Sequence, residues 1–433
     1  MNGRFFAVLM LMVALAGPAT AQEPDSLSLE AVIALVVKNN PTGHAAGHAL
    51  AAAQAAADAA SSRFYPQARA DVSYTRLGPV AEISLPGSGA FRLYPADNYD
   101  GRVSVHQTVY DFGRTSRSAD LASSHITLAE DQVEQVKSGL AYAAVQSFYT
   151  ILFLDQDIRV QDDQINTLNE YLSFTQKKVG AGAATEFDVL TTRVRIAAAQ
   201  NKRIDLINRR RKEEIALRRL ADLPGDGPLR LQGSFEAGSV SVDADSLLAL
   251  AAQRRIELKQ ANDAVHSAEV RSRVAAAADN PTVNVDLAYG AKNGYIPNLD
   301  VLRGNFVAGL SVHVPLYDGS MNSNLVQEAE ANLLAARDQK NAVAARIRSD
   351  LLDAISDLRA SMEKLQTSTL DVEQARRAVE LAKAKYDAGV ITNLDLLDAQ
   401  TALEQARLAD LQSLYGFVLS KYGLRRAVGE RIW

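Results

Sequence analysis

The chain has 433 residues, 47% of them hydrophobic and 22% charged, with a formal net charge of −5. That balance excludes a disordered chain, and its mild acidity leaves no basic footprint for nucleic acid. There is no cysteine, so disulfides, thiolate metal sites, cysteine nucleophiles and a lipid-modified N-terminal cysteine are excluded as well.

The first predicted element is a leader. Arg4 precedes an apolar run from Phe5 to Ala16, followed by Gly17, Pro18 and Ala19-Thr20-Ala21. A positive start, a short apolar core and a small-residue end describe a secretory signal peptide over 1–21, cut before Gln22. The run is short for a membrane-spanning helix of about 20 residues, and no later stretch is long and apolar enough to be one.

Beyond the leader the chain repeats itself. Tyr65-Pro66-Gln67-Ala68-Arg69-Ala70-Asp71-Val72-Ser73-Tyr74 returns as Asn280-Pro281-Thr282-Val283-Asn284-Val285-Asp286-Leu287-Ala288-Tyr289. The segment Asn98 to Asp111 returns as Asn305 to Asp318, and Gly182 to Leu190 returns as Gly389 to Leu397. The order is preserved, so the chain is a tandem duplication. The first repeat is expected over 22–221: a helix, a β-hairpin at about 64–110 and a long helical hairpin at about 113–221. A linker over 222–245 follows. The second repeat, 246–433, holds a helix, a β-hairpin at about 281–315 and a helical hairpin at about 320–428.

In each β-hairpin the apolar pattern has period two. Ala68, Ala70, Val72 and Tyr74 alternate with Gln67, Arg69, Asp71 and Ser73; Phe306, Ala308, Leu310 and Val312 repeat the pattern. Segments of about 9–12 residues suit tilted membrane strands, although a soluble antiparallel sheet alternates too. The loop within the first hairpin is expected to be longer than that of the second by about eight residues.

From Gly113 to Val179 there is no proline and one interior glycine, Gly139; the counterpart from Met321 to Ala388 has neither. Such a run reaches about 100 Å as a helix, too long for a globule. Leu140, Ala144, Ile151, Leu154, Ile158, Ile165, Leu168 and Leu172 mark a heptad seam. The second long helix is expected to carry two offset seams, Val326 to Ile347 and Ala344 to Leu365, one for each of two neighbours. Gly180-Ala181-Gly182 and Gly389 end the long helices, with Thr185 and Asn393 expected as the next N-caps and Asp188 and Asp395 in the first turns.

Four strands cannot close a barrel and open edges are not tolerated in lipid, so copies must combine. Three give 12 strands; two would give eight, which also closes. At this point the mature chain resembles the TolC family of outer-membrane efflux proteins. The duplication carries the resemblance, with the junctions Tyr110-Asp111-Phe112-Gly113 and Tyr317-Asp318-Gly319, the paired turns, and Asp395-Leu396-Leu397-Asp398-Ala399.

The resemblance implies a mainly α protein with a β membrane part: a homotrimer with a 12-stranded outer-membrane barrel on a long periplasmic helical barrel. Its partners would be a periplasmic adaptor, an inner-membrane RND, ABC or MFS pump, and outer-membrane lipid. The linker resembles part of the family's equatorial segment. In the family a basic residue near the turn of the second helical hairpin can help lock the entrance; the nearby Ile391 is apolar, which implies a looser closure here or one achieved differently.

Asp395 and Asp398, three apart, share a helical face and would form carboxylate rings at a narrow periplasmic aperture, with Asp188 equivalent in the first hairpin. The alternative is helix-start acids favoured by the macrodipole. Tyr386 is expected either to bond Asp188 of the adjacent hairpin or simply to pack between helices. Gly182, Thr185, Gly389 and Thr392 resemble adaptor-facing tips, or serve turn chemistry alone. His44 and His48 lack a third ligand and are read as incidental, with no cofactor expected. No P-loop, dinucleotide fingerprint or nucleophile elbow occurs. The expected function is a passive duct for efflux or type I secretion, not an enzyme. The alternatives are a secreted coiled-coil or adhesin-like stalk and a periplasmic metal-dependent hydrolase.

Overall fold

The computed structural model describes residues 26–433 apart from 86, 88, 226, 228, 237 and 239–241. The expected signal peptide lies outside the described residues.

The two halves fold into the same series of helices. α1 (Leu29–Asn39) and α2 (Pro41–Ser61) are matched by α5 (Ala244–Arg254) and α6 (Ile256–Ala276), 11 and 21 residues long in both halves. α3 (Arg114–Gly180) and α7 (Met321–Asp387) each have 67 residues; α4 (Glu186–Ala221) and α8 (Asn393–Val428) each have 36. Where one helix was expected before each β-hairpin there are two, parted at Asn40 and at Arg255. Asn40 is extended because Pro41 follows it, and its side chain caps α2 through the Thr42 amide, 2.8 Å away.

These breaks place short helices end to end alongside long ones. The Asn40 amide group donates to the Leu220 carbonyl at the end of α4 (2.8 Å), so α2 begins where α4 finishes. Arg255 does the same for the second half, donating to the Ala427 carbonyl of α8 (3.2 Å) and to Asp350 of α7 (3.2 Å). Gly429 follows α8 with φ 81°, and a Cβ there would lie 2.7 Å from the Arg254 carbonyl carbon. Only glycine fits so close an approach. Near the sheet the helices stand in the order α2, α3, α6, α7; toward the far end the order is α4, α3, α8, α7.

The sheet has the order β1-β4-β5-β6, every pairing antiparallel: β1 (Gln67–Arg76), β4 (Asp97–Tyr110), β5 (Thr282–Lys292) and β6 (Arg303–His313). The loop inside the first hairpin spans 77–96 and holds a small ribbon of its own, β2 (Glu82–Leu85) with β3 (Gly89–Arg92); its counterpart spans 293–302. Register puts most apolar residues on one face, with Ala288 and Val307 on the other. Ala68, Val105, Leu287 and Ala308 form one row across the sheet, and Ala70, Val103, Tyr289 and Phe306 the next. The other face carries Gln67, His106, Asp286 and Gly309, then Asp71, Arg102, Gly290 and Asn305. The apolar face has no cover: Val72 is 90% exposed, Phe306 80% and Leu310 71%. β1 and β6 each have one unpaired edge.

The last strand of each hairpin hands over to a long helix through an aspartate. Asp111 accepts from the amides of Gly113 (3.0 Å) and Thr115 (2.7 Å), and Asp318 from that of Asn322 (2.7 Å), satisfying otherwise orphaned first-turn donors. The main core sits at mid-height, where α1 and α5 lie against the long helices. It gathers Val32, Val36, Ala144, Phe148, Ile151, Leu217, Leu351, Leu358 and Phe417. Each such large side chain contributes about 1.5–3 kcal/mol by burial.

The two offset seams expected on α7 are one stripe in the chain. Ala329, Ile347, Leu351, Ile355 and Leu358 are buried along it, and Ala344 is exposed. Leu334, Leu352, Leu370 and Leu381 lie exposed elsewhere on α7. The chain's own helices meet α7 on the buried stripe.

Candidate entrance at the paired hairpin tips

The far ends of both helical hairpins are built alike. Gly182 (φ 71°) and Gly389 (φ 74°) turn the chain after α3 and α7, a left-handed conformation that favours glycine. Thr185 then accepts from the Asp188 amide (3.3 Å), while the Asp188 carboxylate accepts from the Thr185 amide (2.9 Å) and hydroxyl (2.8 Å). Thr392 and Asp395 reproduce that reciprocal box at 3.3, 2.8 and 2.7 Å. The second N-cap is therefore Thr392 and not Asn393. Asn393 is the first helical residue, because the box requires the acid three positions after the cap.

Electrostatics follow from these boxes. Burial pushes the Asp188 carboxyl up, but hydrogen bonds from the Thr185 main chain and hydroxyl, with the Asn393 amide, outweigh it and hold the group below its ordinary value. Asp395 is held low by the Thr392 hydroxyl and then by the Thr392 main chain. Both acids face helix N-termini, where negative charge is favoured.

Asn393, freed from capping, ties the hairpins together. It accepts from the Tyr171 hydroxyl (2.6 Å) and donates to the Asp188 carbonyl (3.3 Å). Tyr386 does not bond Asp188 within the chain. It is buried at 7% exposure beside Tyr171 (ring centroids 5.7 Å) and Phe174 (6.3 Å), within a small cluster that includes Leu168, Ile196, Leu396 and Leu397. The Lys178 ammonium sits 4.0 Å from its ring and donates to its carbonyl (3.3 Å), which puts a cation at the C-terminal end of α7.

Asp395 and Asp398 are both exposed on one side of α8, with Leu396 and Leu397 buried on the other. The two acids differ in their partners. Asp398 is bound by Arg195 of α4 at 2.8 Å, and the same guanidinium donates to the Thr401 hydroxyl (2.7 Å) and the Leu397 carbonyl (3.4 Å). Further up, Glu404 of α8 accepts from Gln161 of α3 and Lys202 of α4, both at 2.8 Å.

Tyr171, Lys178 and Arg195, and the bridging role of Asn393, were not singled out from sequence. For Tyr171, Asn393 and Arg195 the signal is divergence between the repeats; Lys178 has a like counterpart in Lys385. At the 207-residue spacing that relates Gly182 to Gly389, Tyr171 corresponds to Ala378, Asn393 to Glu186, Arg195 to Ala402 and Asp398 to Thr191. The residues that form turns are kept in both halves, whereas Tyr171, Asn393, Arg195 and Asp398, which join the halves, differ.

His44 and His48 are exposed on α2. Among the described residues no group of three or more His, Cys, Asp or Glu side chains is placed to hold a metal ion, and no helix is long and apolar enough to cross a membrane.

The chain is similar over 427 residues, at 21% identity, to the outer membrane efflux protein BepC of Brucella suis, covering 98% of this chain and 89% of that one. It is 22% identical over 317 residues to the outer membrane protein TolC of Vibrio cholerae, with 72% of each chain covered. Its fold is similar to the crystal structure of the outer membrane protein VceC from Vibrio cholerae, with a TM-score of 0.76 at 18% identity over 94% of this chain and 97% of that one. The sequence matches the outer membrane efflux protein family over residues 32–222 and 247–430, one match in each repeat, and the chain belongs to that family.

Proposed function

We propose that three copies of this chain join β6 to β1 in a closed 12-stranded barrel in the outer membrane of a Gram-negative bacterium. The paired helices continue as a periplasmic barrel whose narrow end is the hairpin tips. The carrying observation is the four-stranded sheet, with one face predominantly apolar and uncovered and with two open edges. Water disfavours such a face, and lipid disfavours such edges; closure between copies in a membrane relieves both. Two copies would also close, and family membership favours three. The exposed Leu370 and Leu381 of α7 and the exposed Val194, Ile204 and Ile215 of α4 lie on the two outermost helices of the far half, where copies would meet.

The assembly is read as a passive exit duct for efflux or type I secretion, energised by an inner-membrane pump through a periplasmic adaptor. The leader directs export, and the barrel alone anchors the mature chain. Asp395, Asp398, Asp188 and Tyr386 are assigned to the entrance, and Gly182, Thr185, Gly389 and Thr392 to the adaptor-facing tips. A secreted stalk has no use for an apolar sheet face, so that alternative gains no support.

The test is fractionation followed by planar-bilayer recording. The protein is expected in the outer-membrane fraction as a detergent-extractable trimer that forms discrete conducting pores. Recovery as a soluble monomer without detergent would reject the duct.

A further inference from the structure

We propose that Arg195 sets the charge of the entrance by occupying Asp398, so that on α8 Asp395 is the carboxylate left uncompensated there. The inference rests on reading the hairpin tips as the mouth of a duct. Arg195 extends from the first repeat and grips a single turn of α8 in the second, through Asp398, Thr401 and Leu397. Its side chain is 28% exposed and that of Asp398 63%. A pair this accessible contributes little to stability, so its main effect falls on local charge. Asp395, one helical turn away on the same exposed side, bonds only to its own cap and has no basic partner among the described residues.

The pair is also formed once per chain. The counterparts of Arg195 and Asp398 in the duplication are Ala402 and Thr191, so the first hairpin has no such compensation to make. With Arg195 in place, a threefold entrance presents one bare ring of α8 carboxylates, that of Asp395, besides the Asp188 ring of the first hairpin. Without it, a second ring opens beside the first, and two rings about 5 Å apart hold a divalent cation far better than one.

The experiment uses full-length protein in planar bilayers, with MgCl2 titrated on the side of the hairpin tips. Arg195→Gln is expected to be blocked at Mg2+ concentrations about tenfold lower than wild type, and Arg195→Gln/Asp398→Asn to return to the wild-type range. An Arg195→Gln channel with wild-type Mg2+ sensitivity overturns the proposal. So does a double variant that keeps the raised sensitivity, because the exposed charge would then not be Asp398. Asp398→Asn alone, which strands the arginine, is expected to resist Mg2+ more than wild type, and unaltered block in it also overturns the proposal. Absence of conducting pores from the wild-type protein is a different failure, since it removes the duct reading itself.

Discussion

Thr185 and Thr392 share one task, and each is bound to the acid three residues on. Because Asp188 and Asp395 titrate below their ordinary value of 3.8 in the folded chain, their contribution to the tips is complete above that pH. It is lost as pH falls through the lowered values. Amide protection in the first turns of α4 and α8 should thus hold steady from neutral pH to about 4 and decline below it. Protection that persists to pH 2 would show that the boxes do not support these turns. Thr392→Ala should fray the start of α8 by about 1 kcal/mol, seen as faster exchange there with the centre of α8 unchanged. The glycines, Thr185 and both acids were legible in sequence because turn chemistry is local. Asn393 was read as the cap because its residue type suits one; the reciprocal box with Asp395 decides for Thr392. Arg195 and Tyr171 stayed hidden because their partners lie in the other repeat, and no local pattern marks a bond across that distance.

Helix lengths show which patterns travel well from sequence to structure. The long α3 and α7 were visible as runs without proline, and the strands as period-two segments, because each depends on neighbours within a few positions. The partition of the shorter helices was not foreseen. Arg255 interrupts a segment with no proline or glycine, and it does so to reach Ala427 and Asp350 in elements far along the chain. On α7 the heptad reading gave two seams, because Ala344 fits a stripe by spacing while tertiary packing leaves it exposed. At the first of the helix junctions, Asn40 both caps α2 and donates to α4. Asn40→Ala should destabilise the chain by about 1–2 kcal/mol in urea unfolding. Asn40→Asp keeps the cap and loses the donation, and it should fall between the two. An aspartate variant as stable as wild type would mean that the bond to Leu220 contributes nothing.

For the whole molecule, the sheet and the helices make opposite demands. The sheet has one mostly apolar face and one mostly polar face, and substitution tests the proposal that the first meets lipid and the second water. Phe306→Arg should cost about 2–4 kcal/mol in assembly if it lies near mid-membrane, seen as loss of the outer-membrane trimer. Asn305→Arg, one residue away on the opposite face, should assemble normally; equal losses would refute the assignment of faces. The proposed closure between copies is not legible in any one segment, since it depends on counting strands and finding edges that a single chain leaves open. The helical part carries a mechanical consequence in its joints. α3 and α7 run unbroken for about 100 Å, whereas α4 with α2, and α8 with α6, meet only through Asn40 and Arg255 and their carbonyl partners. An unbroken rod resists bending along its whole length, while a jointed one yields where its backbone ladder stops. Compliance therefore concentrates in alternate rods at mid-height, beside the apolar core, and the far half can twist as a body there while α3 and α7 carry the axial load.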